Sequence, residues 1–411
     1  MTSARNKTLP EVPVTIWNST FIGVFITNIL MQFGQQMCNS LVPKYADYLN
    51  ATPSVVGMVT SLFAVTAIVF KFISAPAIDT FNRKYILAGS TAIVGISYVG
   101  YSFSNSIPAL MVFRLIQGIG MAFTATCCLA LASDALPPDK LGSGIGYFSL
   151  AQAAGMAVAP TVALMLMNAI GYNLTFAIAA VCMLVSAVIA TKLKVRFVRT
   201  RKFKISISSI VAKEVLIPAV ILLLLTTAYS VINSFLIIYG GKQGLGSEIG
   251  IYFTVNAVAM LISRPLVGRL TDKFGQVKIL IPATIFFTAS FVIISFSTTL
   301  WMFLLAAIAS AFGYGASQPA IQALAMKMVP KERRGAASCT SYLGTDLGYL
   351  VGAPIAGTIA QSLGYPVMWR IMIFPILTAA AIILFFRKRI SSAWSGATNL
   401  EDKVNETYIH V

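Results

Sequence analysis

Asp346 is the one acidic residue set deep within an apolar stretch of this 411-residue chain. It lies about eleven residues into its stretch, ~16 Å from the nearer end at 1.5 Å per residue. A carboxylate there is costly while charged, so it either exchanges protons or is held by a nearby Arg or Tyr. Lys71 and Arg264 stand eight residues before Asp79 and Asp272, ~12 Å inside the same side of the layer. Two uses are open to them: snorkelling toward headgroups, or drawing an anion into an internal space. Arg114 lies seven residues into its own stretch, ~10 Å below the opposite edge and level with Gln35 and Gln36, which are expected to hydrogen-bond it.

Amides arranged at helical spacing surround these charges. Asn28, Gln32, Gln35, Gln36 and Asn39 recur at i, i+4, i+7, i+8 and i+11, one face of a helix. Arg114, Gln117 and Thr124 mark a second polar face, Tyr229 and Asn233 a third. Tyr314, Gln318 and Gln322 mark a fourth, with Pro319 loosening the backbone beside them. Amides are expensive in hydrocarbon, so each stripe is expected to turn inward, and four together favour a central cavity.

Other chemistries are excluded by what the residues lack. The single histidine, His410, lies near the C-terminus, and no nucleophile sits beside a base. Cys38, Cys127, Cys128, Cys182 and Cys339 fall in apolar stretches without metal-ligand spacing and read as small buried hydrophobes. No nucleotide-binding loop occurs, so neither an enzyme nor an ATP-driven machine is expected, and no metal or cofactor.

The elements that must position these residues are membrane helices. The chain is 57% hydrophobic and only 10% charged, with mean hydropathy +0.81. Soluble domains carry roughly 25% charged residues. Apolar runs are expected to span at 17–42, 53–76, 84–104, 107–132, 142–168 and 172–192, then 214–240, 247–270, 278–297, 300–327, 336–362 and 366–386. Runs this long exclude barrel strands and leave an all-α membrane protein of twelve helices. The net charge of +17 comes mostly from bases in segments on one side of that layer. This is the positive-inside pattern, which puts both termini in the cytoplasm and argues against a nucleic-acid partner. The first run is too long for a cleaved signal peptide and lacks a cleavage site.

The chain also repeats itself. Gly268-Arg269-Leu270-Thr271-Asp272-Lys273-Phe274-Gly275-Gln276-Val277-Lys278 has a worn copy at Ala75 to Lys84, at an offset of 193 residues that carries Asp79 to Asp272. The same offset carries Phe81 to Phe274, Lys71 to Arg264, Gly120 to Gly313, Pro137 to Pro330, Gly142 to Gly335 and Gly155 to Gly348. The expected organisation is a cytoplasmic N-terminus (1–16), a six-helix bundle (17–192), a basic linker (193–213), a second bundle (214–386) and a cytoplasmic tail (387–411) that is disordered after Arg389. Ser206 to Val211 in the linker is expected to lie along the inner membrane surface.

The duplicated G-x-L-x-D-K-F-G-x-x-K loop resembles the gate loop of the major facilitator superfamily, and the resemblance covers essentially the whole chain. Arg114-Leu115-Ile116-Gln117-Gly118-Ile119-Gly120 resembles the family's R-x-x-Q-G-x-G signature in the fourth helix. Gly155 to Pro160 resembles a degraded G-x-x-x-G-P antiporter motif, and Gly348, Gly352 and Pro354 form its counterpart in the eleventh. Together these look most like the bacterial drug:proton antiporters. The resemblance implies helices 1, 4, 7 and 10 lining a substrate cavity, packing motifs that seal against ion leak, and gate loops that latch the inner side. It implies proton-coupled efflux of a small organic molecule across the cell membrane, with a monomer as the expected working unit. Uptake or exchange of an organic anion is the alternative, suggested by Lys71, Arg114 and Arg264 outnumbering Asp346. A non-transporting sensor is a remote third reading. The first helix carries amides where many such exporters carry an acid, which makes Asp346 the candidate coupling residue.

In the gate, Asp79 and Asp272 can accept hydrogen bonds from a neighbouring helix N-terminus. Arg83 is placed to pair with Asp134, whereas the equivalent positions hold Gln276 and Lys327. The latch is thus expected to be unequal. Asp79→Asn is expected to slow transport in proteoliposomes while leaving expression intact.

Overall fold

The computed structural model describes residues 15–136, 141–195, 211–329 and 334–392. The chain stays helical through Ser392, past Arg389, the expected start of disorder. Linker residues 196–210, which include nearly all of the 206–211 stretch, and the tail beyond residue 392 lie outside the described residues. Every regular element among them is helical. In chain order these are α1 (Ser19–Tyr48), α2 (Pro53–Thr80), α3 (Arg83–Phe103), α4 (Ile107–Asp134), α5 (Leu141–Lys192) and α6 (Leu216–Lys242). Then follow α7 (Ile251–Phe274), α8 (Gln276–Phe296), α9 (Leu300–Ser310), α10 (Ala316–Lys327), α11 (Arg334–Leu363), α12 (Tyr365–Ile371) and α13 (Phe374–Phe385).

Local chemistry sets several of the ends. The Asn18 side chain accepts from the Phe21 N–H at 2.9 Å and starts α1; Asn82 does the same for Lys84 at 3.2 Å and starts α3. Pro53 opens α2, where its missing N–H costs nothing. Gly275 turns α7 directly into α8 at φ 87°, a conformation side chains rarely adopt.

Five expected spans differ in detail. α1 runs through Pro43 to Tyr48, past the expected end at residue 42, because one proline can be carried near a helix end when its neighbours stay bonded. The fifth and sixth spans join in α5, which breaks at Gly171 (φ 81°). A Cβ on Gly155 would sit 3.0 Å from the Gln32 Cβ, and one on Gly34 would sit 2.9 Å from the Ala179 carbonyl oxygen. A straight helix would hold residues 155 and 179 ~36 Å apart, yet both meet adjoining turns of α1, so the chain doubles back at Gly171. The tenth span is α9 and α10 joined by a π-helical turn, Ala311–Gly315, and the twelfth is divided between α12 and α13. Nine described segments are long and apolar enough to cross a membrane. Counting the 39-residue segment Ala154–Lys192 as two passes, and adding the more polar 30-residue helices α1 and α11, accounts for the twelve expected crossings.

Small residues bring helices into backbone contact. Cβ atoms on Gly344, Gly348 and Gly352 would lie 2.3, 2.6 and 2.2 Å from the carbonyl oxygens of Ala219, Leu223 and Thr227. Both series step by four residues, so α11 and α6 lock along matched ridges. Gly118 does the same for α4 on α2, where a Cβ would fall 2.0 Å from the Phe63 carbonyl oxygen. Pro354 lies inside α11 just beyond Gly352, and Pro160 lies inside α5 five residues beyond Gly155, which packs on Gln32 of α1.

Candidate functional site

The polar faces converge on one cavity of about 300 Å³ between the two repeats. From α1 come Gln32, Gln35, Gln36 and Asn39; from α4, Arg114; from α6, Tyr229 and Asn233. Arg264 of α7, Tyr314 of the π-turn and Gln318 of α10 join them, with Lys71 of α2 and Asp346 of α11. The expected cavity residues Asn28, Gln117 and Gln322 fall outside this lining. Asn28 turns away to donate to the Phe148 carbonyl at 3.1 Å, a tie between α1 and α5. Gln117 is buried in the first repeat, where its Oε1 accepts from the Tyr101 hydroxyl at 2.6 Å.

Gln117 also corrects the expectation for Arg114. The guanidinium is 1% exposed, and its Nη1 donates to Gln117 Oε1 at 2.7 Å rather than to Gln35 or Gln36. One helical turn separates the two residues, so the amide is positioned by α4 itself. The group also lies over the Phe63 ring, 5.5 Å from its centroid. Its buried Nε has no hydrogen-bond partner among the described residues.

Lys71 neither snorkels nor stands free: its Nζ forms an ion pair with Asp346. The acid's partner is therefore a lysine of the other repeat, not the expected Arg or Tyr. Both side chains are largely buried, and the pair bridges α2 and α11. Tyr342 flanks it, with its ring centroid 5.2 Å from the ammonium. Around Tyr314, a parallel stack forms with Tyr229 at 3.9 Å between centroids. The π-turn matters here, because an inserted residue re-aims the side chains that follow it. Arg264 Nε donates to the Gly315 carbonyl at 3.4 Å, which sets the guanidinium beside that stack.

Sequence reasoning missed two lining faces. Tyr342, Thr345, Asp346 and Tyr349 follow i, i+3, i+4 and i+7 on α11, and Thr60, Phe63, Ala67 and Lys71 do so at similar steps on α2. The helical period was there to find; the aromatic and small residues hid it. Asn233 Nδ2 donates to the Tyr349 hydroxyl at 3.2 Å, tying α6 to α11 at the cavity wall.

The cavity is closed toward one face. Near the start of α2, the Ser54 and Thr358 hydroxyls meet at 3.3 Å across the repeats, and Thr161 meets Thr254 at 3.3 Å across the other seam. Cβ atoms on Gly57 and Gly357 would lie 2.2 Å from the carbonyl oxygens of Ala353 and Pro53. Toward the opposite, basic face, the lining continues as far as Leu129 and Ser338, near the ends of α4 and α11.

At that basic face Arg83 pairs with Asp134 and donates from Nε to the Ile78 carbonyl at 3.2 Å, tying the ends of α2 and α4 to the start of α3. In the second repeat, Gln276 donates to the Ala320 carbonyl instead, a neutral bond in place of an ion pair. Lys273 stays exposed and lies over the Phe274 ring. Asp79, Gly268 and Asp272 lie outside the residues whose side chains are described. Because Asp134 is half exposed, Asp134→Asn is expected to cost no more than about 1 kcal/mol, read as a small fall in melting temperature in detergent.

Two helical repeats closed around a charged cavity, sealed at one face, define a multi-pass membrane transporter. The chain belongs to the Major Facilitator Superfamily, whose family model matches residues 24–253 and 219–404. It is 24% identical over 385 residues to the multidrug resistance protein MdtG of Enterobacter lignolyticus, covering 89% of each chain. It is 21% identical over 386 residues to the staphylopine export protein of Staphylococcus aureus, covering 90% of this chain and 96% of that one. Among solved structures it resembles the nucleoside transporter NupG (D323A mutant), with TM-score 0.78 and 13% identity over 89% of this chain and 100% of that one.

Proposed function

We propose that the chain works as a monomer in the cell membrane, exporting a small organic molecule by alternating access in exchange for protons. The Lys71–Asp346 pair carries this reading. Among the described residues, Asp346 is the one acid lining the cavity, and its partner belongs to the other repeat. A proton arriving on Asp346 removes its charge and frees Lys71, which loosens α2 from α11 on the cavity side of their seam. Proton occupancy and the relative position of the repeats thereby become linked, as antiport requires. The basic excess puts both termini and the cavity's longer reach on the cytoplasmic side. The relatives named for multidrug resistance and for export support the direction.

The test is reconstitution in proteoliposomes with a pH-sensitive dye in the lumen, offering cationic dyes and aromatic carboxylates from outside. Antiport predicts that the lumen turns alkaline as a transported compound enters. Entry without proton movement, or with acidification, would rule it out.

A further inference from the structure

The two seams between the repeats are related by the 193-residue offset, and they are unequal in charge. Gly57 at α2 rests on Ala353 and Pro354 of α11; its counterpart, Gly250, rests on Thr161 of α5, where a Cβ would lie 3.1 Å from the Thr161 Cα. Thr161 is itself the counterpart of Pro354. The same frame carries Lys71 onto Arg264 and Asp346 onto position 153, so the first seam's ion pair has an equivalent register in the second. That register holds Arg264 on α7 and Ala153 on α5. The base is kept and the acid is missing.

Arg264 has no ion-pair partner among the described residues, and its one hydrogen bond, through Nε, goes to the Gly315 carbonyl. The guanidinium lines the cavity beside the Tyr229–Tyr314 stack, with Met260 and Phe63 supplying apolar wall. With Arg114 also present and Lys71 balanced by Asp346, the described lining carries three bases and one acid. Such a surface repels cations and leaves a planar fork without the two-oxygen acceptor it matches.

We propose that Arg264 is the docking point for the carboxylate of a small organic anion with an apolar body. The substrate then completes, at the α5–α7 seam, the charge pairing that Asp346 provides at the α2–α11 seam. This rests on the transporter reading and names its substrate class. Bound substrate bridges to α7 as Asp346 bridges to α2, so loading would favour closing the repeats around it.

Benzoate serves as the probe, with benzamide and benzylamine as its neutral and cationic analogues, measured by thermal shift and calorimetry on the purified full-length protein. Benzoate is expected to stabilise the protein, and the two analogues are not. Arg264→Gln is expected to weaken benzoate by about tenfold or more, and Arg264→Lys by less, since lysine keeps the charge but loses the fork. Arg264→Lys carries the test should Arg264→Gln fail to fold, because losing the fork alone should still weaken benzoate measurably. Equal binding of benzoate by either variant, stabilisation by benzylamine alone, or no response to benzoate would each overturn the proposal. Proton-coupled transport of a cation that survives Arg264→Gln would defeat this inference and leave the export reading standing. Benzoate binding that requires Arg264, in a protein that moves no compound, would do the reverse.

Discussion

Asp346→Asn is expected to abolish proton-driven transport while leaving substrate exchange measurable. The amide keeps the shape of the carboxyl but cannot take up a proton or neutralise Lys71, so the α2–α11 seam loses its titratable link. Dye-loaded proteoliposomes should record no lumen alkalinisation, whereas counterflow of labelled substrate should persist, because exchange needs no net proton movement. Stability separates a coupling role from a purely structural one. Lys71→Met strands a buried carboxylate and is expected to cost about 3 kcal/mol, while Lys71→Met combined with Asp346→Leu should recover most of that loss. If Asp346→Asn couples protons normally, the pair is only a strut and the coupling group lies elsewhere.

Gly57→Leu is the second large effect expected. A Cβ at residue 57 would sit 2.2 Å from the Ala353 carbonyl oxygen and 2.7 Å from its carbon, and backbone cannot swing aside as a side chain can. The seam must therefore part on the sealed face, and transport should fall to background even though no cavity residue has changed. In a background with the native cysteines replaced, Asn39→Cys should become more reactive toward a membrane-impermeant maleimide added from that face. The counterpart substitution Gly250→Leu meets neighbours at 3.1 to 3.3 Å and should be milder. Normal transport by Gly57→Leu would mean that this seam need not close, contrary to alternating access.

Much of this architecture was legible because hydrocarbon permits few solutions. A run of some twenty apolar residues must be a helix there, and an amide within it must face inward. Hence the four polar stripes named nine of the residues that line the cavity, and a constant offset exposed the repeat. Asn28 and Gln117 misled for one reason: periodicity gives the face of a helix but not what stands against it. Asn28 faces α5 and Gln117 faces Tyr98 and Tyr101, so both are satisfied inside the first repeat. The π-turn at Ala311–Gly315 also escaped, since it depends on backbone bonding rather than on composition, whereas the break at Gly171 falls in the gap expected between the spans 142–168 and 172–192.

The sequence by itself determined the membrane class, the two-fold repeat and the family motifs. These follow from composition and spacing, which tertiary contacts cannot alter. Only the tertiary structure decided who partners whom. Lys71 and Asp346 are 275 residues apart in the chain, and nothing local to either could say that one neutralises the other. That pairing leaves Arg264, the counterpart of Lys71 in the repeat, as a cavity base without a counter-ion among the described residues, because the position equivalent to Asp346 in the first repeat holds an alanine.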